Sequence, residues 1–187
     1  MSVCVLEPSM PTQLLARFRV ALGWVVAPLV LIVADPTQTS LAWGFAIALA
    51  GEGIRFWAAG HLRKACEVTS SGPYRWSAHP LYVGSSVMGV GLAVASASPI
   101  AAVLIGLYLL VTLRAAIRSE EAFLRRAFSD EYDRYRRQVA PGAFRRFSFA
   151  QAIANREHRA VAGVGLALLL LVLKATYNGS FWRAAGP

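Results

Sequence analysis

Apolar residues in this chain come in long uninterrupted blocks, with the charged residues gathered between them. Five blocks predict helices: Leu14–Ala34, Leu41–Gly60, Pro80–Ser98, Pro99–Ile117 and Ala160–Tyr177. At a rise of about 1.5 Å per residue, roughly 20 residues cross a hydrocarbon core of about 30 Å, so each block is long enough or nearly so. Arg17 and Arg19 open the first block, Glu52 and Arg55 interrupt the second, and Lys174 lies near the end of the fifth. Basic side chains at helix ends can snorkel to the interface, which a mid-helix glutamate does with difficulty. Glu52 and Arg55, one turn apart, can pair with each other and lock their helix into a bundle. Ser96-Ala97-Ser98-Pro99 leaves room only for a tight hairpin between the third and fourth blocks. Along the third, Ser85, Gly89, Ala93 and Ala97 form a small-residue stripe suited to close helix packing.

Composition sharpens this picture. Of 187 residues, 56% are apolar and 16% charged, and the mean hydropathy is +0.48. These values exclude a disordered chain and disfavour an ordinary soluble domain. The expected architecture is all-α: a single integral-membrane domain over residues 1–187, with about five transmembrane helices. The net charge is +9, with the basic residues lying between apolar blocks. That suits a basic membrane face and not a nucleic-acid partner. Sorting Lys and Arg by loop places 17 on the side of the N-terminus and leaves Lys174 and Arg183 opposite. The bias predicts an N-inside, C-outside orientation. Arg17-Phe18-Arg19 and the apolar run ending at Ile32-Val33-Ala34 also resemble a cleavable signal peptide, but a small-x-small cleavage site is missing. Cys4 and Cys66 form no CxxC pair and have no histidine at metal-ligand spacing, so reduced thiols and no metal site are expected.

Two segments between the blocks carry candidate chemistry. In the first, Gly72-Pro73 forces a turn, and Pro80 suits the first helical turn, where its missing N–H would be unpaired anyway. His79 then stands at a helix mouth, with Tyr82 in the first turn and Gly84 leaving room for a neighbour. The unpaired N–H groups and positive end of such a mouth suit a carboxylate or phosphate. Alternatively, His79 caps the helix and Tyr82 joins an interfacial aromatic belt. In the second segment, Glu120 and Glu121 extend the fourth helix, with Arg114 and Arg118 at pairing distance before them. Adjacent carboxylates point about 100° apart on a helix, so one is expected to pair with arginine and the other to meet a ligand. The plainer reading is a solvated run of charges. Beyond it, Ser129 is a good N-cap for a short amphipathic helix containing Tyr132 and Tyr135, lying on the headgroups.

The order of these features is more specific than any one of them. Arg55-x-Trp57-Ala58 and His61-Leu62 are followed by Gly72-Pro73-Tyr74-Arg75 and His79-Pro80-x-Tyr82-x-Gly84. A helical hairpin, Glu120-Glu121 and the Tyr132/Tyr135 segment come next. Together they resemble the isoprenylcysteine carboxyl methyltransferase family, to which the phospholipid N-methyltransferases are related. The resemblance covers about Glu52 to Phe147, leaving the helix near residues 160–177 as an addition.

It implies an S-adenosylmethionine-dependent methyltransferase. In proteins of that family the hairpin and the segment after it enclose the cofactor, and the second substrate arrives from the lipid. By matching motif, Gly72, Pro73, Tyr74, Arg75, His79, Pro80 and Tyr82 would line the cofactor pocket. Glu120 and Glu121 would hold its polar groups, and Tyr132, Tyr135 and Arg136 would help close it. His79, Glu120 and Glu121 are the candidate catalytic residues. The family usually carries arginine immediately before His-Pro, where this chain has Ala78. Arg75 or Arg118 would have to take that role.

Methyl transfer to a nucleophile asks the protein chiefly to align donor and acceptor and to exclude water. The acceptor is expected to be small or lipid-soluble: a carboxylate, a thiol or an amine. Seventeen arginines against two lysines suggest a GC-rich prokaryotic genome, and hence a bacterial inner membrane with the site facing the cytoplasm. Two alternatives remain. One is a reductase, because sterol reductases carry a related NADPH-binding region; five helices and the lack of a Gly-rich dinucleotide loop argue against it. The other is a non-catalytic membrane protein retaining the fold, for which Ala78 speaks. Oligomeric state is not legible in the chain.

Overall fold

The computed structural model describes residues 10–63, 69–136 and 146–182, the side chains of 10–17, 128–136 and 182 excepted. The described residues form α1 (Met10–Val33), α2 (Gln38–His61), α3 (Pro80–Ser96), α4 (Pro99–Arg136), α5 (Phe149–Ala154) and α6 (Glu157–Tyr177), with no strand among them. Short 3-10 turns cover Gly72–Arg75 and Ser180–Trp182.

Local chemistry sets the helix ends. Thr37 and Ser40 cap α2 reciprocally, each backbone N–H donating to the other's hydroxyl at 2.9 and 3.2 Å. Pro80 opens α3, and Ala97 closes it in the left-handed region at φ 48°, which turns the chain at once into α4. At the same end of the molecule, Asp35 N–H donates to the Ser96 carbonyl at 2.9 Å and Lys174 Nζ donates to the Leu31 and Ile32 carbonyls. The five long helices therefore alternate in direction. His61, His79, Glu121 and Glu157 lie at the opposite end, hereafter the site end.

The seam between α2 and α3 is the tightest in the molecule. Gly44, Ala48 and Gly51 lie against Gly84, Met88, Gly91 and Ala95, and a Cβ on Gly51 or Gly91 would strike the backbone of Met88 or Ala48. The expected stripe of Ser85, Gly89, Ala93 and Ala97 is thus not the packed face. Four residues turn a helix by about 400°, so a strict four-residue stripe drifts about 40° per step and leaves a straight seam. Ser85 stays in contact with α2 through Arg55, Gly89 meets Leu109 and Ile105 of α4, and Ala97 is exposed. Val164, Leu168, Leu171 and Ala175 of α6 complete a core with Leu41, Ala48 and Ala95.

Two helical segments, Pro99–Ala127 and Glu157–Tyr177, are long and apolar enough to cross a membrane, and Phe18–Val33 and Pro80–Ser96 are shorter apolar helices. Only 22% of each spanning window is buried inside the molecule. Large apolar side chains such as Trp24, Ile32, Val103 and Leu169 are exposed on several helices, as suits a lipid environment. The chain is a membrane protein.

Two expectations need correction. No separate amphipathic helix begins at Ser129: α4 runs unbroken through it to Arg136. Neither proline nor glycine occurs between Ile117 and Arg136, so nothing outweighs continuing the i to i−4 hydrogen bonds. The short helix after it is instead α5, capped by Ser148, whose hydroxyl accepts from Gln151 N–H at 3.3 Å. The helix expected from Ala160 starts three residues earlier, and this brings Glu157 into its first turn.

Candidate functional site

Hairpin register builds the site. From the turn at Ala97, α3 descends 17 residues, roughly 26 Å, to its N-terminus. α4 reaches Glu120 and Glu121 after 22 and 23 residues, roughly 33–35 Å and so about one and a half turns beyond the start of its neighbour, and then continues further. The two carboxylates therefore arrive beside the mouth of α3.

His79 occupies that mouth as the N-cap residue, yet its side chain makes no capping hydrogen bond. The imidazole turns to α4 instead. Nε2 lies 3.2 Å from Glu121 Oε1 and Nδ1 lies 3.9 Å from Glu120 Oε2. Nδ1 is buried and has no hydrogen-bond partner among the described residues. The Tyr82 ring is 5.7 Å from the His79 ring, and its hydroxyl faces the Glu120 carboxylate.

Both glutamates approach one imidazole. A single imidazole presents its two nitrogens on different edges, so two carboxylates that diverge along the helix can both approach it. Arg114 and Arg118 point outward and are exposed.

Other candidate residues lie elsewhere. Gly72, at φ 58°, packs on the His61 ring, Pro73 and Tyr74 are buried, and Trp76 meets Trp57 at 5.7 Å. This turn is thus built against the end of α2. Arg75 is exposed. Tyr132, Tyr135 and Arg136 belong to the last turns of α4, and their side chains lie outside the described residues. Ala78 is half-buried beside His79.

Arg55 is the hub of a second polar cluster. Its Nη2 pairs with Glu157 Oε1 at 2.6 Å, and its Nε lies 3.5 Å from Glu52 Oε2. Nη1 donates to Ser85 Oγ and, at 3.4 Å, to the Leu81 carbonyl. The one-turn pair with Glu52 is present, but the closer partner is Glu157, which sequence reasoning passed over. An acid opening a helix amid Arg156, His158 and Arg159 was the available signal. Asn155, also unanticipated, donates to the Ala59 and Leu62 carbonyls at 2.8 Å each and so caps α2.

A family model for phospholipid methyltransferases matches residues 45–131, a stretch that contains α3, the hairpin and both glutamates. Among curated proteins, the nickel-cobalt-cadmium resistance protein NccN of Alcaligenes xylosoxydans xylosoxydans is 34% identical over 159 residues, which is 77% of this chain and 72% of that protein. No solved structure matches the chain. With the motif order, the family match and that relative in agreement, the chain belongs to the phospholipid methyltransferase family, a family of membrane methyltransferases.

Proposed function

We propose that the chain is an S-adenosylmethionine-dependent methyltransferase whose cofactor sits at the mouth of α3, between His79, Tyr82, Glu120 and Glu121. The observation that carries this reading is the imidazole held between two carboxylates, 3.2 and 3.9 Å away, where α4 outruns α3. The residues suit the cofactor. Glu120 and Glu121 can accept from ribose hydroxyls or an ammonium group, and the buried, unpartnered Nδ1 of His79 leaves one polar atom for a ligand.

When bound, the cofactor supplies a methyl group activated on a sulfonium centre. The chain's own contribution is to hold and align, which can account for about 7–11 kcal/mol of a barrier, and to keep water out. Tyr82 and the first turn of α3 form one wall, and the extension of α4 forms the other. Tyr132, Tyr135 and Arg136, on the last turns of α4, would help close the pocket, and the Gly72–Arg75 turn would buttress it from the α2 side. The acceptor is a small or lipid-soluble nucleophile. A thiol or carboxylate needs little help from a base near neutral pH. An amine has to shed a proton, which His79 or a glutamate is placed to receive.

The alternating helices, together with the 17 basic residues on the side of the N-terminus, support a reading of five crossings with the site facing the cytoplasm. Calorimetric titration of the purified protein in detergent with S-adenosylhomocysteine tests the reading. Saturable binding at micromolar to millimolar ligand is expected, and a flat titration over that range would rule it out.

A further inference from the structure

Glu157 lies outside the stretch that matches the family model, residues 45–131, yet its side chain reaches into the middle of that stretch. It opens α6, is only 5% exposed, and pairs through Oε1 with Arg55 Nη2 at 2.6 Å. Several contacts set it there. Ser148 N–H donates to the Gly60 carbonyl at 3.1 Å, and the Asn155 amide donates to the Ala59 and Leu62 carbonyls, which stitches the chain around α5 to the end of α2. Arg156 then takes a left-handed turn at φ 64°, a strained conformation for a residue with a Cβ, and α6 starts at the next residue. The positive end of α6 favours a carboxylate at that place. A carboxylate so deeply buried needs a cation, and Arg55 is the one it meets.

Arg55 passes this constraint on to α3. Its stem crosses Gly84, where an added Cβ would strike Arg55 Cγ at 2.7 Å. Beyond that crossing, Nη1 donates to Ser85 Oγ and, at 3.4 Å, to the Leu81 carbonyl. Leu81 belongs to the first turn of α3, which is closed by the Tyr82 and Val83 N–H groups donating to the His79 carbonyl at 3.0 and 3.1 Å. A guanidinium is a rigid plane, so holding Nη2 on one side fixes the direction of Nη1 on the other. The rival partner, Glu52, lies 3.5 Å from Nε and one turn back along α2, away from the mouth of α3. Of the two carboxylates, only Glu157 holds the guanidinium from the site end.

We infer that Glu157 is a positioning residue for the mouth of α3: acting through Arg55, it sets the first turn of α3, and with it His79 and Tyr82, in the arrangement that receives the methyl donor. The helix beyond the family-matched stretch is thereby part of the site without touching it. What binds at the mouth rests on the methyl-donor reading, whereas the hold of Glu157 on the mouth rests on the geometry of Arg55 alone.

Two measurements on the detergent-purified full chain test it: calorimetric titration with S-adenosylhomocysteine, and hydrogen–deuterium exchange of peptides covering residues 80–86. Glu157→Gln keeps the size of the side chain and leaves Arg55 with Glu52, so the cluster stays neutral. It is expected to weaken S-adenosylhomocysteine binding about tenfold and to speed exchange in the 80–86 peptides. The control is Lys174, which ties the other end of the same helix to the Leu31 and Ile32 carbonyls. Lys174→Met should lower the melting temperature and move neither readout. Unchanged affinity and exchange in Glu157→Gln would overturn the inference. So would equal changes in Lys174→Met, because α6 would then act only through overall stability. Should Glu157→Gln not fold, Ser85→Ala removes the hydroxyl to which Arg55 Nη1 donates and is held to the same expectations. If the unaltered chain itself binds no S-adenosylhomocysteine, the methyl-donor reading falls, and the exchange rates alone decide whether Glu157 holds the mouth.

Discussion

Helix α3 has two unlike sides. Toward α2 it offers Gly84, Gly91 and Ala95, and the two backbones approach so closely that a methyl group would not fit. Toward α4 contact is sparser, and at the site end it gives way to His79, Tyr82 and two half-buried glutamates. The first side is held by packing and by the Arg55 clasp. The second leaves polar atoms short of partners, as at Nδ1 of His79. A rigid seam behind α3 allows a polar, under-satisfied mouth in front, because the backbone carrying that mouth cannot relax into it.

The contrast is breakable at several points, and the largest effect is expected at the clasp. Arg55→Met should destabilise the protein by about 3–5 kcal/mol, since two buried carboxylates lose their cation. Unfolding in detergent measures it, and a loss below about 1 kcal/mol would mean the cluster is hydrated instead of buried. Gly91→Leu should cost about 1–3 kcal/mol by overpacking the seam, whereas Gly106→Leu, where a Cβ meets nothing within 4 Å, should stay within about 0.5 kcal/mol. Similar losses at both glycines would show that the seam is looser than its geometry. On the other side of α3, His79→Ala should weaken S-adenosylhomocysteine binding by about 10–100-fold with an almost unchanged melting temperature. A melting temperature that falls in step with affinity would make His79 a structural residue. The smallest effect belongs to the hairpin: Ala97→Gly should stabilise by about 1 kcal/mol, because alanine at φ 48° is strained. A destabilised variant would place the entropy of glycine above that strain.

Helix existence was legible from apolar block length, and four of the five blocks begin or end at a cap or proline visible in the chain. The Ser129 cap was misread because a good capping residue does not stop a helix that has no breaker. The small-residue stripe was misread for a geometric reason, since a one-dimensional spacing rule does not say where two curved surfaces touch. At the site, His79, Tyr82 and the glutamate pair stood out through motif order. Glu157 did not, because its importance arises from a helix distant in sequence, and a lone acidic residue at a helix start has an ordinary explanation of its own.

Sequence by itself determined the helices, their apolar character, the turn before His79 and the family. These depend on interactions within a few residues or on summed hydropathy, both of which a linear chain carries in full. Tertiary structure decided which face of α3 packs, that both glutamates share one imidazole, and that Arg55 lies closer to Glu157 than to Glu52. Those outcomes depend on how far each helix extends past its neighbour and on competition among several charges for one guanidinium, and such competition is settled only when all the helices are in place.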